Sequence, residues 1–142
     1  MKCQLWKACT LIHLRLVNKG KKHRSSQITK IMSNTLNKCK WAGKSGKTYE
    51  YEIYPIGTTF NQVPGNYIFC KLNAYGQWVP QYIGQSNNLG QRLGDHEKET
   101  CAKRNGATHI HAHVNQIEDD RLREEKDLIE YHNPPCNTQH TR

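Results

Sequence analysis

Acid is missing from the front of this chain. Residues 1–49 carry twelve Lys and Arg and neither Asp nor Glu, within a sequence of 142 residues and formal charge +9. The other nine basic residues face all twelve acids, a balance of −3 from residue 50 onward. Long apolar runs are missing too. Nothing approaches the roughly 20 apolar residues that cross a bilayer, so no membrane span is expected and the protein reads as soluble and cytoplasmic. Cysteines at metal-finger spacing are also absent: Cys3, Cys9, Cys39, Cys70, Cys101 and Cys136 contain no C-x-x-C pair. That argues against a zinc finger or a disulfide-dense secreted domain and predicts reduced thiols, with Cys70 packed in a core.

A phosphate-binding loop is absent as well, despite "GKSGKT" at Gly43–Thr48. The motif needs a glycine five places before Gly46, where Trp41 stands, and no apolar strand leads into it. The segment reads as a flexible basic linker. Together these features predict two regions: a basic, disordered arm over 1–48 and a folded domain over 49–142. Met1 to Ser26 makes a poor secretory signal, because His13 and Arg15 interrupt its apolar stretch. An organellar presequence and a true start at Met32, which would place residues 1–31 outside the protein, are the other readings. Such an arm attracts phosphate polyanions by counterion release, so nucleic acid is a plausible partner on charge alone.

Ordered pattern begins at Tyr49. "TYEYEIY" alternates as a half-exposed strand, closed by Pro55 and Gly57. "NYIFCKL" (Asn66–Leu72) predicts a second strand, with Tyr67, Phe69 and Lys71 on one face and Ile68, Cys70 and Leu72 on the other. A turn around Gly76 returns the chain as "VPQYIG", its hairpin partner. Asn87 or Asn88 caps a predicted helix over about Leu89–Thr100. Ala107–Val114 alternates again, and Asp119 or Asp120 caps a last helix that runs to about Tyr131, before Pro134 and Pro135. The fold class is α+β: a small, mainly antiparallel sheet, with a central hairpin plus further strands, flanked by helices.

Two clusters suggest chemistry. On the last helix, Leu122, Leu128 and Ile129 define an apolar arc with Glu125 at its centre. A carboxylate there costs free energy unless it is paired or binds a metal. The bland alternative is a shallow helix end from which Glu125 reaches water. Arg92 and His96 stand four apart and would share a helix face, an arrangement suited to an anion, since arginine clamps phosphate oxygens in pairs. Alone, they would read as two exposed polar side chains.

These residues fall in an order. "GNY" (Gly65–Tyr67) opens one hairpin strand, "YIG" (Tyr82–Gly84) closes its partner, Arg92 follows eight residues later, and "EKDLIEYHNPPCN" runs from Glu125 to Asn137. This order resembles the GIY-YIG nuclease family, over about half the chain, and its tail is similar to that of bacterial excision-repair nucleases. The resemblance implies a GIY-YIG-like fold and a metal-dependent DNA endonuclease that hydrolyses phosphodiester bonds. It implies Glu125 as the ligand of a single Mg²⁺ or Mn²⁺, Arg92 on the scissile phosphate and Tyr67 as general base. Tyr82 would orient the water or phosphate, His96 matches a histidine of homing-type members, and Asn137 supports the site or contacts substrate. A phenol of pKa near 10 needs nearby positive charge to act as base, which Arg92, the metal or Lys71 would supply. Fourteen residues separate Tyr67 from Tyr82, longer than the family's usual hairpin, so "NAYGQWVP" reads as an insertion able to displace Tyr67 from register.

His109, His111 and His113 alternate and should face one way. They read first as solvated or DNA-facing residues, second as a transition-metal site. Three functions follow: a structure-selective or weakly sequence-specific endonuclease, alone or within a larger DNA-processing assembly; a catalytically inactive nucleic-acid-binding module of the same fold; and a histidine-rich metal-handling protein. The sequence does not speak to oligomeric state.

Overall fold

The computed structural model describes residues 37–137 of the chain. Five strands and three helices follow one another: β1 (Lys38–Ala42), β2 (Thr48–Pro55), β3 (Gly65–Leu72), β4 (Trp78–Ser86), α1 (Leu89–Gly94), α2 (Glu99–Arg104), β5 (His109–Val114) and α3 (Glu118–His132). The strands form one sheet in the order β1-β2-β5-β3-β4, with every neighbouring pair antiparallel. This is the expected α+β architecture. No helix among the described residues is long and apolar enough to cross a membrane.

Both faces of the sheet are covered. On one, Trp41, Tyr51, Ile53, Ile68, Cys70, Trp78 and Ile83 pack with Leu128 of α3. On the other, Tyr67, Phe69, Tyr82, Ile110 and Ala112 pack with Leu89 and Leu93 of α1 and Cys101 and Ala102 of α2. β3 alternates between the two cores as its sequence predicts, and Cys70 is fully buried.

The folded unit begins before Tyr49. Lys38 and Lys40 face out while Cys39 and Trp41 face in, so β1 is an alternating strand concealed by its lysines. Gly43–Lys47 is a tight turn rather than a flexible linker. The Gly43 amide donates to Lys47 O, and Ser45 donates to Asp127 of α3 through both its amide and its hydroxyl. A Cβ on Gly43 would stand 2.1 Å from Asp127 Oδ2, which explains that glycine. The rest of the expected arm, residues 1–36, and the alternative start at Met32 lie outside the described residues.

Four further expectations are corrected. The helix over Leu89–Thr100 is two short helices, because the chain leaves helical geometry at Asp95; Asn88 is the N-cap, its side chain accepting the Gln91 amide. α3 starts one residue after Ile117 without a side-chain cap, and its buried residues are Arg121, Glu124 and Leu128; Leu122 is exposed. The three histidines of β5 share a face, but only its middle is buried, with His109 and His113 part-exposed on either side. His111 is fully buried and its Nδ1 accepts the Trp41 indole N–H, while His109 stacks edge-on against Trp78. Finally, Cys101 and Cys136 form a disulfide, so they are not free thiols.

The long hairpin keeps its register through a bulge. Phe69 pairs with Tyr82, but Cys70 pairs with Pro80, leaving Gln81 as the extra residue. Tyr67 therefore stands opposite Gly84, undisplaced.

Candidate active site

The tyrosine face of β3 and β4 carries the cluster. Tyr67 is 1% exposed, and its ring lies across the backbone of Gly84 on the neighbouring strand. A Cβ on Gly84 would stand 2.5 Å from the Tyr67 hydroxyl and 3.0 Å from the Tyr82 ring. The glycine of "YIG" thus has a steric cause: it makes room for two tyrosines. Their ring centroids are 6.3 Å apart.

His96 sits among them without belonging to a helix. Because the chain breaks after Gly94, its imidazole turns inward, 5.3, 5.2 and 5.1 Å from the rings of Tyr67, Phe69 and Tyr82. Its Nδ1 accepts the backbone N–H of Lys98 at 2.9 Å. Burial, with Arg92 nearby, lowers its pKa to about 4, so the ring is neutral at pH 7. A neutral imidazole whose Nδ1 is an acceptor carries its proton on Nε2. That N–H donates to the Tyr67 hydroxyl at 2.6 Å.

Arg92 approaches the same oxygen, its Nε 3.4 Å from the Tyr67 hydroxyl. The Tyr67 oxygen is therefore the target of two donors, leaving its own proton to point elsewhere. Burial and Tyr82 raise the pKa of Tyr67, with Arg92 acting against them. Burial likewise raises Tyr82, again opposed by Arg92. Positive charge does stand beside Tyr67, as expected, but desolvation outweighs it, and the resting phenol keeps its proton.

Arg92 has one more partner, which no sequence signal marked. Its Nη1 and Nη2 donate to the two oxygens of Glu97 at 2.8 and 3.1 Å. The guanidinium holds Glu97 down to about pKa 2. The two lie five apart across the helix break, where no helical spacing rule would pair them.

Glu125 is half-buried and makes no hydrogen bond or ion pair among the described residues. Desolvation alone raises its pKa, and its charge in turn raises both Tyr67 and Tyr82. Its neighbour Glu124 is the opposite case. It accepts from the Tyr51 hydroxyl at 2.5 Å and from Asn115 at 3.3 Å, with His113 Nε2 at 2.8 Å. Since successive residues differ by about 100° around a helix, one carboxylate looks into the sheet and the other past it.

The structure thus brings together Tyr67, Tyr82, Arg92, His96 and, through its field, Glu125. It does not bring Lys71, whose side chain runs over Gly106 near the other end of β3, roughly 13 Å of strand from Tyr67. Asn137 is near but occupied. Its amide oxygen accepts the Ile83 N–H at 2.8 Å and its amide nitrogen donates to Ile83 O at 2.9 Å, clamping the tail to the strand beside Tyr82. Asn137 is thus committed to the strand, and Lys71 stands apart from the tyrosine cluster.

Among the described residues, no group of three or more His, Cys, Asp or Glu is arranged to hold a metal. The histidines of β5 are each engaged separately. Glu125 fits a different type of ion: Mg²⁺ keeps several waters and asks for one or two carboxylates. An unpaired, desolvated acid meets that requirement. A cleft of about 530 Å³ lies elsewhere, along α3 beside Lys47, Tyr49, Arg123 and Asp127. Asp127 there is already satisfied by Ser45 and Tyr49.

No protein-family model matches the chain, and no curated protein matches it. Among solved structures, similarity is found to the GIY-YIG N-terminal endonuclease domain of UvrC from Thermotoga maritima. Its magnesium-bound form is 26% identical, with a TM-score of 0.44 over 54% of this chain and 84% of that one. Two point mutants bound to the catalytic divalent cation are 28% and 27% identical, with TM-scores of 0.44 and 0.45, each over 54% of this chain and 83% of that one. The match to this GIY-YIG domain is distant.

Proposed function

We propose that the chain is a GIY-YIG-type endonuclease that hydrolyses phosphodiester bonds in DNA with the help of Mg²⁺ or Mn²⁺ on Glu125. The observation that carries this reading is the half-buried Glu125 carboxylate, without a partner among the described residues, whose charge raises the pKa of two tyrosines, one of them, Tyr67, hydrogen-bonded to an arginine and a neutral histidine. A purely structural helix has no use for such a group, because burying it costs free energy that nothing in the protein returns. When bound there, the cation supplies positive charge to offset the phosphate and to acidify its own waters.

The protein's own groups divide the remaining work. Arg92 holds a non-bridging phosphate oxygen and stabilises charge as it develops there. Tyr67, in its phenolate form, takes the proton of a water attacking phosphorus, while the bond from phosphorus to the leaving sugar oxygen breaks. His96 Nε2–H and Arg92 Nε donate to the Tyr67 oxygen, which stabilises the phenolate and aims its lone pair. Tyr82 positions the water or phosphate beside it. Asn137 acts as a positioning residue, fixing the strand that carries Tyr82. None of these groups reads bases, so cleavage is structure-selective or weakly sequence-specific.

Nicking of supercoiled plasmid with Mg²⁺ or Mn²⁺ tests the reading. The parent protein should nick, Glu125→Ala should not, and Arg92→Ala should be slowed about 10²–10³-fold, the usual cost of removing one charge-stabilising donor. A folded parent that is inert with both metals on duplex, branched and single-stranded DNA leaves an inactive nucleic-acid-binding module in its place.

A further inference from the structure

We propose that Glu97 is an internal substitute for substrate phosphate, occupying the Arg92 clamp until a phosphodiester displaces it. The inference rests on the nuclease reading and adds a residue that sets how tightly substrate is taken up.

The geometry of the pair supports it. Two parallel N–H···O contacts, at 2.8 and 3.1 Å, are the bidentate form in which a guanidinium also grips a phosphate. A phosphodiester presents two non-bridging oxygens on one centre, as a carboxylate does. With Nε directed at Tyr67 and both terminal nitrogens on Glu97, a phosphate seeking that bidentate face meets an anion already there.

Three features make the occupant displaceable. The Glu97 side chain is 59% exposed and the Arg92 side chain 33%, so the pair sits at the lip of the site rather than sealed within it. Exposed ion pairs of this kind are weak and screened by salt. The backbone on either side is fixed, because His96 O accepts the Glu99 amide and His96 Nδ1 accepts the Lys98 amide. Only the Glu97 side chain needs to move. Releasing it leaves His96, Tyr67 and the course of the chain unchanged.

The pairing also explains how Arg92 stays aimed at Tyr67 without substrate. Glu97 keeps the charged plane of Arg92 in the place a phosphate would hold it, at the cost of competing with that phosphate.

Binding of a labelled short DNA duplex, with Ca²⁺ replacing Mg²⁺, tests the exchange. Glu97→Gln should bind about three- to fivefold more tightly than the parent, the size of competition expected from an exposed ion pair. Plasmid nicking by the same variant should show KM lowered by a like factor with kcat unchanged. Asp95→Asn, the same charge change two residues away, measures the general effect of removing an acid and should give less. In an Arg92→Ala background, Glu97→Gln should give no more than that general effect. Unchanged or weaker binding by Glu97→Gln, or a gain that survives in Arg92→Ala, overturns the proposal. A parent that fails to nick, while the Arg92-dependent gain in binding persists, sinks the nuclease reading and leaves the exchange standing. A parent that nicks without that gain sinks the exchange alone, and loss of all Arg92-dependent binding overturns both.

Discussion

Glu124 and Glu125 are neighbours on α3, yet they look into two different settings. Glu124 faces the core built on Trp41, Tyr51 and His111, where Tyr51, Asn115 and His113 surround its oxygens. Glu125 has no hydrogen-bond partner among the described residues, and its charge raises the pKa of both Tyr67 and Tyr82. A buried charge that is fully bonded has its desolvation offset within the protein and is costly to disturb, whereas one left open is available to a ligand. The two faces of the sheet are also covered differently: one by the long α3, which carries both glutamates, the other by two short helices with Arg92 in the last turn before their break and His96 in it. On this chain, structural and chemical polar groups are told apart by whether their partners are already in the protein.

Removing one oxygen from the tyrosine face should have the largest effect. Tyr67→Phe deletes one oxygen from a packed ring and should slow metal-dependent nicking about 10²–10⁴-fold, the range for a general base, while the melting temperature stays close to the parent's. The residual phenylalanine still fills the space over Gly84. Because burial raises the Tyr67 pKa, the parent's rate should climb as pH rises through the alkaline range, and in Tyr67→Phe the slope should vanish.

The disulfide gives the next largest effect. It links α2 to the tail across 35 residues, and the Cys136 amide donates to Gln81 O while Asn137 clamps Ile83. Closing a loop of that length is worth roughly 3–4 kcal/mol in the chain-entropy account. A reductant, or Cys101→Ser with Cys136→Ser, should lower the unfolding free energy by an amount of that order, read from urea unfolding. Activity should fall less in proportion, since the bridge touches no reacting group.

His96 provides a pH test of the same face. Its pKa is about 4 in the folded protein and about 6.5 unfolded, so between those values the unfolded chain binds the extra proton. The His96 contribution is therefore present above about pH 6.5, declines as pH falls towards 4, and is lost below that. Its size is roughly 3 kcal/mol, because each tenfold drop in proton affinity on folding corresponds to about 1.4 kcal/mol. Glu125 works in the opposite direction: its raised pKa favours the fold at low pH, and that help fades as pH rises through the carboxylate range. Urea unfolding at several pH values should show the His96 loss in the parent and not in His96→Ala.

Much of this site is legible in the sequence because its parts are local. Tyr67, Tyr82 and Gly84 lie on strands with clear alternation, and the ring packing over Gly84 follows from their pairing. Arg92 and Glu125 stand out by position in a motif. The apolar arc is a poor guide to Glu125 in detail. It points inward through Leu122, but α3 buries Arg121 and Glu124, since Gln85, Asn115 and Tyr51 supply hydrogen bonds that a hydrophobic pattern does not register. β1 is hidden because its outward residues are lysines, and the acid-free stretch runs straight through it. Glu97 and the Cys101–Cys136 bridge are hidden for another reason. Both join residues across breaks in secondary structure, where neither spacing nor periodicity carries information.

The most direct test returns to the two glutamates. Nicking of supercoiled plasmid with Mg²⁺ should be measured side by side for the parent, Glu125→Gln and Glu124→Gln. Glu125→Gln should fold with undiminished stability and should not nick. Glu124→Gln should melt lower, having lost a charge that Tyr51 and His113 surround, but should still nick. Nicking by Glu125→Gln at the parent's rate would contradict the central claim.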